Sequence, residues 1–389
     1  MKIRQEAGKK LIKPYKVLFI SAPVGAGHIK AAQSIADAMC RHHSHIEVKI
    51  ANVFDFFNKR IGKSILSIYL KILELFPKAY GLAYGWGNES SFALACRQVI
   101  SRYLAQRMER YILGYNPDII VCTHATPAGM ASSLLRDKKM TVPVVGVVTD
   151  FVVHRLWIYP EITQYVVANE EMHNFLHGHG ISRSSIKVLG IPVEEKFLQK
   201  MNKEAILHDL QFVNEIKTIL IMGGGAGLLP MDKILQCCEN SSIPLQIIAV
   251  TGNNKDMYKK IVQLQPKLCN KVRVLGYVAC IHELMAISHL IISKPGGVTS
   301  AETLCMGIPM LVYRPIPGQE EANTDYLVKH QVAVRADSLL EIQSLIEKLF
   351  VKQPEELIRM HQNTLKIRKP RAAADIGSYI YSQVKREED

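Results

Sequence analysis

The run Lys294-Pro295-Gly296-Gly297-Val298-Thr299-Ser300-Ala301-Glu302 carries the plainest chemistry in this chain. It follows the apolar, strand-like Leu290–Ser293 and leads into a helix-like stretch from Ala301 to Met306. A strand, a glycine turn and a helix start make an anion site, because the first amides of a helix have no internal partner and point outward. Paired glycines let the backbone approach a phosphate with no Cβ in the way. The helix dipole alone contributes only about 0.3–2 kcal/mol, so several amides must converge, and the turn reads as a grip on a diphosphate. Glu302 lies one helical turn beyond the glycines, where a carboxylate can accept from both hydroxyls of a vicinal diol such as ribose. The same Thr299-Ser300-Ala301-Glu302 is also a capping box, open to any soluble helix.

Two further residues suit proton transfer. His28 ends the small-residue loop Ala22–Gly27, and an imidazole titrates near the pH at which a general base works. Asp150 follows the apolar run Val144–Thr149, at the strand end that faces the ligand crevice of an open α/β sheet. Either can serve as base. His28 can instead hold an anionic head group, and Asp150 can instead orient the base. His154 and Trp157 read as a cleft-edge pair or as packing. Lys294 and Arg314 are candidate cations for a leaving diphosphate.

Strands that place these residues are expected at Lys16–Ser21, Glu47–Val53, Ile119–Cys122 and Val144–Val148, with a helix from His28 to Arg41 packing through Ala31, Ala32, Ile35, Ala36 and Met39. The pattern restarts at Thr218–Met222, then Leu245–Thr251, Lys271–Leu275, Leu290–Ser293 and Pro309–Tyr313. Each half opens with a strand and a glycine-rich turn, so the expected fold is α/β: two Rossmann-like, doubly wound parallel-sheet domains facing across a cleft. The expected division is 1–197, 198–369, and a final helix, 370–389, returning to the first domain. Gly25-Ala26-Gly27 and Gly223-Gly224-Gly225-Ala226-Gly227 both depart from the dinucleotide fingerprint, and neither is followed by the Lys-Ser/Thr of a P-loop.

The 389 residues carry a net charge of +13, which favours polyanionic partners. Nucleic acid is not expected, since no zinc-finger spacing or RNP1-like strand is present. Eight cysteines without CxxC or Cys/His clustering suit a reduced, cytosolic chain with no structural metal. No run reaches membrane-span length. Ile61–Phe76 is apolar around most of a helix, with a polar stripe at Lys63, Ser67, Lys71 and Glu74. Tyr69 and Trp86 add amphipathic rings. From Phe54 to Tyr115 nine Lys/Arg oppose four acids, a net of +5. At about 1 kcal/mol per basic residue near an anionic leaflet, that supports reversible docking on anionic lipid. A core helix with solvated charges is the alternative.

In order along the chain stand Pro23-Val24-Gly25-Ala26-Gly27-His28, Thr149-Asp150-Phe151 with His154 and Trp157, Gly190-Ile191-Pro192-Val193, Met222-Gly223-Gly224-Gly225, Val274-Leu275-Gly276-Tyr277, Lys294–Glu302, and Pro317-Gly318-Gln319-Glu320-Glu321-Ala322-Asn323. With these seven motifs the chain resembles the monogalactosyldiacylglycerol synthase and processive diacylglycerol glucosyltransferase family, GT-B enzymes related to the one that completes lipid II. The resemblance implies inverting transfer of a hexose from UDP-glucose or UDP-galactose to the hydroxyl of diacylglycerol. No cofactor is expected, and the missing span together with the basic, aromatic segment fits a peripheral place on the inner face of the cell membrane. The resemblance places Gly296, Gly297, Val298 and Thr299 at the diphosphate, Glu302 at the ribose, and Gln319 and Glu320 at the sugar with Asn323 beside them. Gly276 and Tyr277 fall at the uracil and Gly224 and Gly225 on the cleft floor. Gly25, Gly27, Lys63, Tyr69, Lys71, Trp86, His154 and Trp157 fall on the acceptor and membrane side. Rival readings are a polyprenyl-linked acceptor, a UDP-sugar 2-epimerase, and a sensor that binds UDP-sugar without turnover.

Overall fold

The computed structural model describes residues 13–22, 26–56, 91–224 and 229–385. Its first half runs β1 (Tyr15–Ser21), α1 (Gly27–His42), β2 (Ile46–Asn52), α2 (Ser91–Tyr115), β3 (Ile119–Cys122), α3 (Ala125–Arg136), β4 (Val144–Val147), β5 (Gln164–Val167), α4 (Glu170–Gly178) and β6 (Ile186–Val188). After α5 (Lys203–Asp209) come β7 (Lys217–Met222), α6 (Met231–Cys238), β8 (Leu245–Val250), α7 (Lys255–Leu264), β9 (Lys271–Leu275), α8 (Ile281–Ala286) and β10 (Leu290–Ser293). The rest is α9 (Gly297–Cys305), β11 (Met310–Tyr313), α10 (Gln319–Lys329), β12 (Ala333–Ala336), α11 (Leu339–Glu347), α12 (Pro354–Ile367) and α13 (Ala372–Lys385).

The strands form two six-stranded sheets, ordered β2-β1-β3-β4-β5-β6 and β12-β11-β10-β7-β8-β9. Every pairing is parallel. Central strands such as Leu245–Val250 are buried on both faces, which is why they read as continuous apolar runs rather than alternating ones. Strand order reverses between β1 and β3 in the first sheet and between β7 and β10 in the second. Crevices for ligands open at the carboxyl ends of strands at such reversals. His28 follows β1 and Lys294 follows β10, so both crevices carry residues with chemistry.

Three strands escape the periodicity reading: β5, β6 and β12. Each is only three or four residues long and carries a polar residue, Gln164, Lys187 or Arg335, whereas the equally short β3, β4, β10 and β11 stand out as nearly unbroken apolar runs. Packing passes from the first sheet to the second within the tripeptide Ile191-Pro192-Val193. Ile191 packs in the first core, and Val193 joins Phe197, Leu220 and Met222 in the second.

The helix α13 lies on the first sheet. Ala372, Ile376, Ile380 and Val384 pack with Val17, Phe19, Ile35 and Met39. Gly377 permits the close approach to α1, since a Cβ there would sit 2.8 Å from Met39 Cγ. Among the described residues no helix is long and apolar enough to cross a membrane.

Candidate active site at the meeting of the two sheets

The phosphate-type turn corrects one expectation. Helix α9 begins at Gly297, not Ala301, and its N-cap is Gly296 with no side-chain cap. Thr299 therefore lies inside the first turn, and the capping-box reading falls. The first internal bond is Ser300 N–H to Gly296 O, 2.8 Å. The amides of Gly297, Val298 and Thr299 precede it, and a helix start left uncapped by its own side chains offers them to a ligand.

The turn presses on the first domain. A Cβ at Gly297 would lie 1.9 Å from Thr149 O and 2.7 Å from Asp150 Oδ1. Val298 packs beside the start of α1, where a Cβ on Gly27 would meet its Cγ2 at 3.4 Å. Helix α10 completes the contact. The amide of Asn323 donates to Asp150 Oδ1 at 3.0 Å and to Pro295 O at 3.1 Å. Its oxygen accepts from the Phe151 N–H at 2.9 Å. Gln319 Nε2 donates to the other oxygen of Asp150. Asp150 is 5% exposed and Asn323 1%. Burial raises the Asp150 pKa, against the opposing pull of His28, Asn323 and Gln319.

Glu302 is 4% exposed. Lys30 reaches it from α1, Nζ to Oε1 3.8 Å. Burial pushes the Glu302 pKa up to about 7, with Lys30 pulling the other way. Lys294 stands 3.8 Å from Glu320, whose carboxylate also accepts from the Ile316 N–H at 2.7 Å. Burial raises the Glu320 pKa as well. Arg314 is spent elsewhere, donating to Asp337 O at 2.8 Å on the surface.

His28 Nδ1 lies 3.0 Å from Thr123 O and 2.7 Å from Thr149 Oγ1. A carbonyl only accepts, so these partners assign the hydrogen to Nδ1 and leave a lone pair on Nε2. Burial lowers the His28 pKa, with Asp150 and the Thr123 contact opposing it.

The structure thus gathers His28, Asp150, Gln319, Asn323 and Gly297 at one junction, with Lys30–Glu302 and Lys294–Glu320 as ion pairs. Gly224, Gly276 and Tyr277 stand at the ends of β7 and β9, and Tyr277 is 67% exposed. Trp157 is corrected to a core residue: it is 3% exposed, its ring is near Gly146, and its carbonyl accepts from Tyr165 Oη at 2.7 Å. It cannot face a bilayer. His154 precedes the short turn Arg155–Trp157. Gly25, Lys63, Tyr69, Lys71, Trp86 and Gly225 lie outside the described residues, as does the Ile61–Phe76 segment.

The sequence alone gives no role to Thr123, His124 or Lys30, and shows Thr149 only as part of the Thr149-Asp150-Phe151 motif. Thr123 and His124 directly follow β3, a strand at the reversal, so the rule that selected Asp150 would have selected them. Among the described residues no group of three His, Cys, Asp or Glu is placed to hold a metal ion.

Residues 28–193 match the monogalactosyldiacylglycerol (MGDG) synthase family model, and residues 218–376 the glycosyltransferase family 28 C-terminal domain. The chain is 29% identical over 375 residues to the processive diacylglycerol beta-glucosyltransferase of Bacillus cytotoxicus, covering 96% of this chain and 95% of that one. The enzyme of the same name from Bacillus cereus is 29% identical over 374 residues, with the same coverage. Among solved structures, Acinetobacter baumannii MurG superposes with a TM-score of 0.63 at 14% identity, over 95% of this chain and 100% of that one. Neisseria meningitidis UDP-GlcNAc 2-epimerase bound to UDP-GlcNAc gives 0.59 at 18%, over 94% and 100%. These likenesses show the two-domain GT-B fold. With both family models matched in order and the sequence likeness running nearly end to end, the chain is similar throughout to the monogalactosyldiacylglycerol synthases and diacylglycerol glucosyltransferases, and it has their UDP-sugar glycosyltransferase domains in the same order.

Proposed function

We propose that this protein transfers a hexose, with inversion, from a UDP-sugar to the free hydroxyl of diacylglycerol at the cytosolic face of a membrane. The relatives' name favours UDP-glucose as donor. The observation that carries the chemistry is the His28 imidazole, held through Nδ1 by two first-domain threonines beside the uncapped start of α9.

In this reading Nε2 of His28 takes the proton of the acceptor hydroxyl as its oxygen attacks the anomeric carbon. The bond from that carbon to the β-phosphate oxygen breaks on the opposite face. UDP leaves onto the amides of Gly297, Val298 and Thr299, with Lys294 as nearby cation. Gln319 turns from Asp150 to the sugar when donor enters, and Glu320 is the second sugar contact. Both amide hydrogens of Asn323 are engaged, so Asn323 holds Asp150 to the phosphate turn rather than reaching the sugar. Gly276 and Tyr277 meet the uracil. The basic, aromatic segment that includes Lys63, Tyr69, Lys71 and Trp86 docks on anionic lipid.

Labelled UDP-glucose and UDP-galactose, offered separately with diacylglycerol in liposomes, test this directly. Labelled glycolipid is expected, more with UDP-glucose, and more when the vesicles carry anionic lipid. Absence of product from both donors despite UDP binding sinks the diacylglycerol assignment.

Glu302 adds a pH dependence. Its folded pKa, about 7, lies above the ordinary value, so the carboxylate is largely protonated below neutrality. A ribose diol is best held by the ionised form, so UDP affinity is expected to rise between pH 6 and 8. The fold binds the extra proton between the ordinary pKa and 7, so this group's contribution to donor-free stability falls as pH rises through that interval. Calorimetric titration of UDP should show a rise that Glu302→Gln abolishes. A pH-independent affinity in the native protein removes the ribose assignment.

A further inference from the structure

His124 is half-buried at the start of α3, beside His28. Its Nδ1 accepts from the Thr126 N–H at 3.1 Å, as N-cap of α3. Its ring meets that of His28 edge-on, centroids 4.8 Å apart and planes at 85°. The preceding residue grips the same imidazole. Thr123 O takes the His28 Nδ1 hydrogen, and Thr123 Oγ1 donates to His28 O at 3.0 Å. Two consecutive residues at the end of β3 thus fix His28 by backbone, side chain and ring face.

The two histidines are opposite tautomers. An Nδ1 that accepts from an amide must carry a lone pair, so the His124 hydrogen sits on Nε2. Protonating His124 would break the cap and set a cation against His28. The charged and titratable groups that act here are His28 from α1, His154 from the turn after β4, and Asp150 through its field on His28. Burial and both neighbouring histidines lower the His124 pKa well below the ordinary range. Capping alone does not account for a histidine, since Ser, Thr, Asp and Asn are the usual caps.

We propose that His124 is a positioning residue for His28: its ring walls the imidazole, and its cap keeps it neutral, so His28 alone of the pair takes up a proton. The idea rests on the base reading of His28 given above.

Two variants separate ring from cap. His124→Asn keeps a strong cap and removes the ring. We expect UDP affinity and thermal midpoint to hold, kcat to fall roughly ten- to a hundredfold, as for a slightly misplaced reacting group, and the acid limb of the pH profile to move up towards ordinary histidine as water reaches His28. His124→Phe keeps the ring and removes the cap. We expect kcat within a few-fold of native and a thermal midpoint lowered by a few degrees. An Asn variant with native kcat and acid limb overturns the proposal, and so does a Phe variant as impaired as the Asn one. Imidazole nitrogen shifts give a readout independent of activity: Nδ1–H is expected on His28 and Nε2–H on His124. Identical tautomers overturn the proposal. Near-normal transfer by His28→Ala is a distinct failure, because it removes the base reading while leaving the two tautomers to be seen.

Discussion

His28→Ala is expected to lose transfer and keep UDP. Among the described residues the hydrogen bonds of the His28 ring come from Thr123 and Thr149 of the first domain, whereas the proposed donor contacts stand on the second sheet. Loss of a general base costs roughly 10²–10⁴ in rate, and the dissociation constant for UDP should stay within about twofold. Initial rates in liposomes set beside calorimetric UDP titration check both halves. Near-normal transfer would hand the role to Asp150. The native enzyme should also remain active below the pH at which ordinary histidine charges. Burial lowers the His28 pKa, so the neutral, proton-accepting form persists to lower pH and is lost only as pH falls through that depressed value.

Gly297→Ala is expected to be nearly as damaging, for a different reason. The new Cβ would need to occupy space 1.9 Å from Thr149 O and 2.7 Å from Asp150 Oδ1. Both obstacles belong to the loop after β4, and one is backbone, so no side-chain rotation relieves the clash. The turn must retreat from the first domain, and Gln319 and Asn323 then lose Asp150. A displacement of about 1 Å at reacting groups can cost on the order of a hundredfold, and a loss of that size in kcat is expected. The neighbouring glycine is the control. Gly296 has φ −61°, and a Cβ there meets nothing within 4 Å. Small-angle scattering should show Gly297→Ala expanded and Gly296→Ala as compact as native. A Gly297→Ala protein with native rate and native dimensions would show that the Gly297–Thr149 contact is not kept in solution.

The paired glycines mark how far the sequence could be read. Strand-turn-helix at Leu290–Glu302 was legible because its signals are local: an apolar run, two glycines, a helical run. The start of the helix was not, because Thr299-Ser300-Ala301-Glu302 imitates a cap while Gly296 takes the position. Gly297 reads in sequence as room for a phosphate. In the fold the same missing Cβ is what lets the two domains touch. The partnership of Asp150 with Gln319 and Asn323 joins residues far apart in the chain, and nothing local encodes it. The sequence leaves Trp157 open between a cleft edge and packing, because nothing local distinguishes an aromatic that packs under Gly146 from one that faces a lipid. His124 was overlooked for want of a glycine or acid to draw attention, although its place after β3 followed the rule already in use.

The helix over the first sheet also bears on how this protein is made. β1 leaves the ribosome complete at Ser21, while the helix that covers it begins only at Ala372. Until then the apolar stripe through Val17, Phe19, Ile35 and Met39 lacks Ile376 and Ile380. The nascent chain must carry that stripe, prone to association, through the whole synthesis of the second sheet. A message truncated just ahead of Ala372 would yield both sheets and an open seam, a product for chaperones and proteases.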